Sequence, residues 1–164
     1  MTLTAIGKLE ADLIIKAPHP IPKMLFLAGS IEMGAAENWQ EQVALVLGQR
    51  CIILNPRRDD WDSSWIQDMA NPTFLEQVSW ELAAMERADT ILMYFSPGTR
   101  SPITLLELGL FARSGKLIVC CPQGFWRRGN VDIVCKRYGV PVVESLETLI
   151  RYGDMSLAVP AGSL

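Results

Sequence analysis

The chain is expected to fold as a single-domain α/β protein with a doubly wound, five-stranded parallel sheet. Three observations carry that expectation. Short apolar runs recur, each stopped by Gly, Pro or polar residues. Stretches of helical period separate them. The 164 residues, 49% hydrophobic and 20% charged, suffice for one domain with a sizeable core. Strands alternating with helices imply parallel pairing, with helices covering both faces of the sheet.

Residues 1–22 show weak periodicity and end in Ala17-Pro18-His19-Pro20-Ile21-Pro22, which reads as an extended lead-in. The domain proper is expected over residues 23–157, with a tail at 158–164. Met24-Leu25-Phe26-Leu27-Ala28 reads as a buried strand that stops at Gly29-Ser30. From Gly34 to Gly48, Trp39, Val43, Val46 and Leu47 share a helical face. The Gly29-Ser30 turn is either a plain turn or a holder of an anion or hydroxyl through its backbone N–H groups.

Cys51 to Leu54 reads as the second strand and runs into the loop from Asn55 to Trp65. That loop carries Asp60, Trp61 and Trp65. It is either a solvated surface or, because exposed Trp is costly, a ligand wall or subunit contact. Asn71-Pro72 opens the second helix, with a stripe of Phe74, Val78, Leu82 and Met85 and with Trp80-Glu81 off it. Asp89 sits at the N-terminal end of the third strand, Thr90 to Phe95, where it reads as a cap on the preceding turn.

A polar turn from Ser96 to Arg100, including Gly98, follows that strand. Ser101-Pro102 pairs an N-cap with Pro at the first helical position, and Gly115 supplies the stop. Leu117 to Cys121 is the fourth strand, and Val131 to Tyr138 a short helix with Asn130 near its start. Val140 to Val143 is a fifth strand, at an edge because it contains Pro141. Ser145 opens a last helix that fades after Tyr152-Gly153.

The expected strand order is 2-1-3-4-5, a flavodoxin- or Rossmann-like arrangement. Ligands of such sheets bind outside the carboxyl ends of the strands, where the order switches. Those ends are Gly29-Ser30 and Ser96 to Arg100. Glu107 lies about one and a half turns into the helix beyond the second. It sits among apolar residues, on a stripe with Ile103, Leu110, Phe111 and Ser114. No basic residue stands three or four positions away to pair with it. It is either a structural or solvent-facing Glu, or a carboxylate kept for nucleophilic or acid–base work.

Composition excludes several classes. Net charge is −3 with no basic block, which argues against a nucleic-acid polymer as partner. The four cysteines form no CxxC pair and there is one histidine, so a zinc site, a disulfide framework and a His-based triad are not expected. No apolar run is long enough to span a membrane and no leader pattern precedes the domain. A cytoplasmic protein with buried reduced thiols, no metal and no cofactor is expected.

Three segments together resemble the nucleoside 2-deoxyribosyltransferase family and the related 2′-deoxynucleoside 5′-monophosphate N-glycosidases. They are Leu27-Ala28-Gly29-Ser30-Ile31, Ala88-Asp89-Thr90-Ile91-Leu92, and Leu106-Glu107-Leu108-Gly109 with Gly115-Lys116. The resemblance runs from about Met24 to Val143. It implies that Glu107 is the nucleophile toward C1′ of a 2′-deoxyribonucleoside, forming a deoxyribosyl-enzyme intermediate that a second nucleobase resolves with net retention. It implies Asp89 as acid/base toward the base. Candidate substrate contacts are Gly29, Ser30, Asn55, Asp60, Trp61, Trp65, Gly98 and Ser101, with Trp61 or Trp65 as an aromatic wall for the flat base. Asn130 and Asp132 resemble the segment by which a neighbouring subunit closes the site, so a homo-oligomer is expected.

Two positions depart from the family pattern. Ser101 stands where members often have Asp, and the first strand has Phe26 flanked by leucines where transferases often carry Tyr. The expected activity is base exchange. The alternatives are hydrolysis of nucleosides or their 5′-monophosphates, with Arg57 or Arg58 helping to hold a phosphate, and a non-catalytic nucleotide-binding domain.

Overall fold

The computed structural model describes residues 2–4 (backbone), 22–32, 36–58 and 66–158. The strands are β1 (Thr2–Thr4), β2 (Met24–Gly29), β3 (Ile52–Asn55), β4 (Thr90–Tyr94), β5 (Leu117–Cys120) and β6 (Val142–Val143). The helices are α1 (Trp39–Leu47), α2 (Pro72–Arg87), α3 (Pro102–Phe111), α4 (Arg128–Tyr138) and α5 (Leu146–Ala158). The sheet order is β1-β3-β2-β4-β5-β6, and every pairing is parallel. The five expected strands are β2 to β6, in the expected order 2-1-3-4-5. The lead-in adds a sixth, β1, which the weak periodicity of residues 1–22 did not reveal. It pairs along β3, Thr2 opposite Ile53.

The central strands are continuous apolar runs because both of their faces are covered. One face packs Phe26, Ile91 and Met93 against Ala84 and Met85 of α2, Leu108 of α3, and Val131 and Cys135 of α4. The other packs Leu25, Leu27 and Leu92 against Trp39, Val43 and Leu47 of α1 and Leu149 of α5. All four cysteines are buried in these layers.

Two helical faces differ from the sequence reading. In α2 the inward residues include Gln77, Ala84 and Met85, whereas Leu82 is 39% exposed. In α3 the inward face holds Thr104, Glu107 and Leu108, whereas Ile103, Leu106 and Leu110 are each more than half exposed. Glu107 therefore does not share its face with Ile103 and Leu110.

Helix α5 also continues past Gly153 to Ala158. A Cβ on Gly153 would lie 2.9 Å from Leu92 Cδ1 and 3.1 Å from Leu47 Cδ1. The glycine lets the helix approach the sheet and does not end it.

Candidate active site

The carboxyl ends of β2 and β4 meet in a tight hydroxyl cluster. Gly29 closes β2 with φ of +150°, and a Cβ there would come within 2.4 Å of Tyr94 O. Glycine is required by that approach. It lets Ser30 reach across, its N–H donating to Tyr94 O at 2.9 Å. Ser30 Oγ accepts the Ser96 N–H at 2.9 Å and lies 2.9 Å from Thr99 Oγ1 and 2.6 Å from Ser101 Oγ. Thr99 Oγ1 in turn donates to Ser96 O at 2.8 Å and sits 2.9 Å from Ser101 Oγ. Trp39 Nε1 donates to Ser30 O at 3.2 Å, tying α1 to the same turn. Ser30 and Ser101 are buried.

Ser101 occupies the N-cap position of α3 but does not cap it. Its φ and ψ are +44° and +53°, and its side chain makes no capping bond because the hydroxyl is turned into the cluster. Left-handed backbone at a non-glycine residue costs about 1–3 kcal/mol and is held by surrounding structure. Here the holder is Glu32, whose Oε1 accepts the N–H groups of Arg100 (2.9 Å) and Ser101 (2.7 Å). Nothing in the local pattern singles out Glu32, because it caps a helix nearly 70 residues downstream.

Glu107 stands one and a half turns into α3, with 8% of its surface exposed. It accepts no hydrogen bond from any described residue. Burial, and then the nearby Glu81 carboxylate, push its pKa up to about 8. Glu81 of α2 is raised as well: burial raises it, against a hydrogen bond from Gln77 Nε2 at 2.7 Å that lowers it. The same Gln77 amide donates to Pro56 O at 3.2 Å, so the link from α2 to the end of β3 fixes Glu81. Both carboxylates are pushed upward, and as neighbours they titrate as a unit.

The sequence pattern leaves Glu81 off the stripe of Phe74, Val78, Leu82 and Met85. The inward face instead passes through Gln77, Ala84, Met85 and Ala88. The signal was there: Gln77 and Glu81 are polar residues four apart, between Phe74 and Ala84 at core-facing spacing.

Asp89 is placed elsewhere. Its Oδ2 accepts the Met24 N–H at 2.8 Å and its own N–H donates to Met24 O at 2.9 Å, which clamps the N-terminal ends of β2 and β4. The strand β4 separates it from the hydroxyl cluster. The sheet thus holds Asp89 at the end of β4 opposite that cluster.

The other implied site residues divide. Gly29, Ser30 and Ser101 form the cluster, and Gly98, with φ of +79°, turns the chain between them. Asn55 Oδ1 accepts the Arg57 N–H at 3.0 Å, shaping the loop after β3. Arg57 donates to Ala36 O and Glu37 O, and Arg58 to Gln77 Oε1. Asp60, Trp61 and Trp65 lie outside the described residues. Asn130 and Asp132 are on α4, where Asp132 pairs with Arg128 at 3.4 Å. Asn130 lines a groove between α3 and α4 with Leu105, Leu108, Val131 and Val134, and Glu107 is not in that lining.

The family model for nucleoside 2-deoxyribosyltransferase-like proteins matches residues 22–125. The chain belongs to that family. The match spans β2 through the turn after β5, and so includes the hydroxyl cluster, Glu32, Glu81 and Glu107. No curated protein matches the chain. No helix among the described residues is long and apolar enough to cross a membrane.

Proposed function

We propose that the protein exchanges nucleobases on 2′-deoxyribonucleosides. The observation that carries this reading is a buried Glu107, with no hydrogen bond from any described residue, on the helix that starts at the switch point of the sheet, with Glu81 nearby. In the first step a Glu107 carboxylate oxygen bonds to C1′. The C1′–N bond breaks, its electron pair leaves with the base, and protonated Glu81 delivers a proton to the departing ring nitrogen. In the second step a ring nitrogen of the incoming base bonds to C1′. The Glu107–C1′ bond breaks, and the proton shed by that base returns to Glu81. Two inversions give net retention. Once the proton that burial keeps on Glu107 has passed to Glu81, the Glu107 carboxylate stabilises the oxocarbenium-like transition state, and its charge acts strongly in a site shielded from water.

The family resemblance and the outward face of α3 support an oligomeric enzyme. Ile103, Leu106 and Leu110 form an apolar stripe beside the groove lined by Asn130. A second copy of the chain on this face would cover the stripe and bring its Asn130 toward the first copy's site.

The test is to mix a deoxynucleoside with a different free base and separate the products by chromatography. A new deoxynucleoside carrying the second base is expected, and it should be absent with Glu107→Ala. Release of the first base with no exchanged product would replace the transferase reading by a hydrolase. Unchanged turnover in Glu107→Ala would remove Glu107 from the mechanism.

A further inference from the structure

Glu32 follows the Gly-Ser-Ile turn and has no part in the exchange scheme. Its carboxylate nonetheless occupies a telling position. The N–H groups of Arg100 and Ser101 lie in the turn that leads into α3, a place where backbone donors can meet an anion. Glu32 takes both, at 2.9 and 2.7 Å. Glu32 and Ser101 are the non-glycine residues with positive φ among those described, +47° and +44°, and this carboxylate joins them. Strain at both ends of one contact indicates that the surrounding turn is built to hold it.

The rim beside the contact is cationic. The guanidinium groups of Arg100 and Arg127 lie 5.0 and 4.2 Å from the centre of the Trp126 ring, and Trp126 Nε1 donates to Arg100 O at 3.0 Å. Such a rim draws anions toward amides that the chain's own carboxylate already fills. Six residues separate Ser101 from Glu107, about 9 Å along the helix. With C1′ about 3 Å from the Glu107 carboxylate, a 5′ end directed along α3 points toward that turn.

We propose that Glu32 sets the substrate class at the 5′ end, admitting 2′-deoxyribonucleosides and rejecting their 5′-monophosphates. This rests on the base-exchange reading. With C1′ at Glu107 and the base toward Glu81, the 5′ end reaches the Ser101 turn. A 5′-hydroxyl is neutral and meets the hydroxyl cluster there on its Thr99 and Ser101 side. A 5′-phosphate meets a carboxylate already on the N–H groups it needs, and like charges at that separation repel strongly when partly shielded from water.

The experiment compares kcat/KM for a deoxynucleoside and its 5′-monophosphate in the wild type, Glu32→Gln and Glu32→Ala. Gln keeps an acceptor for the amides and removes the charge, whereas Ala removes both. The wild type is expected to prefer the nucleoside by roughly tenfold or more, and both variants to narrow that ratio by roughly tenfold, mainly through KM for the monophosphate. A wild-type preference for the monophosphate, or the same ratio in all three proteins, overturns the proposal.

Inorganic phosphate titrated against isotope-labelled wild type and variants, followed at the Arg100 and Ser101 amides by NMR, gives a readout independent of turnover. Shifts in the variants and none in the wild type sustain the role of Glu32, and equal behaviour in all three overturns it. If neither compound is turned over, it is the base-exchange reading that fails, and the phosphate titration alone decides the role of Glu32.

Discussion

Replacing Glu107 by Gln should remove activity and add stability, in a way that depends on pH. The carboxyl is 8% exposed and is moved from 4.5 to about 8, first by burial and second by Glu81. An unfolded chain gives up this proton near 4.5, whereas the folded chain keeps it to about 8. Between those values the native state binds more protons than the unfolded state, so stability falls as pH rises. Below 4.5 both states are protonated and nothing is lost. Each pH unit above it removes roughly 1 kcal/mol, which comes to about 3 kcal/mol at pH 7. Above about 8 the loss is complete and the curve flattens.

Gln has the shape of the protonated carboxyl and cannot ionise. Wild type and Glu107→Gln should therefore have nearly equal stability at pH 5 and separate by about 3 kcal/mol at pH 7, on the order of 10 °C in Tm. Urea unfolding at pH 5, 6, 7 and 8 measures the gap directly. Exchange by the variant should fall by about a thousandfold or more, since the covalent step has lost its nucleophile. A stability gap that stays constant across pH would show that Glu107 is not held neutral by its surroundings. The account of its chemistry would then fail.

Glu81→Gln removes the charge that helps raise Glu107, so the acid limb of the kcat/KM–pH profile should move to lower pH while the rate falls by about 100-fold or more. An unmoved limb would show that the two carboxylates are not coupled. Asp89→Ala loses the clamp on the Met24 N–H and should cost about 1–2 kcal/mol in thermal or urea unfolding, with exchange at wild-type rates. A large loss of kcat in a folded protein would return Asp89 to the mechanism. Leu106→Lys with Leu110→Lys should leave a folded chain, by circular dichroism, of smaller sedimentation coefficient than the wild type, because charge is placed on the outward stripe of α3. An unchanged coefficient would refute the proposed subunit contact.

What the sequence made legible was governed by local rules. Continuous apolar runs gave β2 to β6 because parallel strands covered on both faces leave no polar alternation to obscure them. Gly29, Ser30 and Ser101 could be placed together because a switch point lies at the carboxyl ends of particular strands, and Ser30 and Ser101 do meet there. Glu107 stood out as a charge with no helical partner. Glu32 and Glu81 were not legible in this way. Glu32 acts on amides 68 and 69 residues away, and only the fold brings them together. Glu81 was misjudged because Leu82 looked more apolar and drew the stripe toward itself.

The same error affected α3, and its cause bears on function. Reading periodicity assumes that the most apolar face of a helix points to the core. In α3 the apolar residues Ile103, Leu106 and Leu110 point outward, while Thr104 and Glu107 point inward. A helix can be turned this way only if something repays its polar inward face and covers its apolar outward one. On the inside, the pKa of Glu107 rises far enough for the carboxyl to be buried neutral, so the desolvation cost becomes a reactive group poised near neutral pH. On the outside, a second copy of the chain would cover the stripe and bring Asn130 with it. The inward Glu107 and the proposed subunit contact thus follow from one orientation of α3, and the Leu106 and Leu110 substitutions test its outward half.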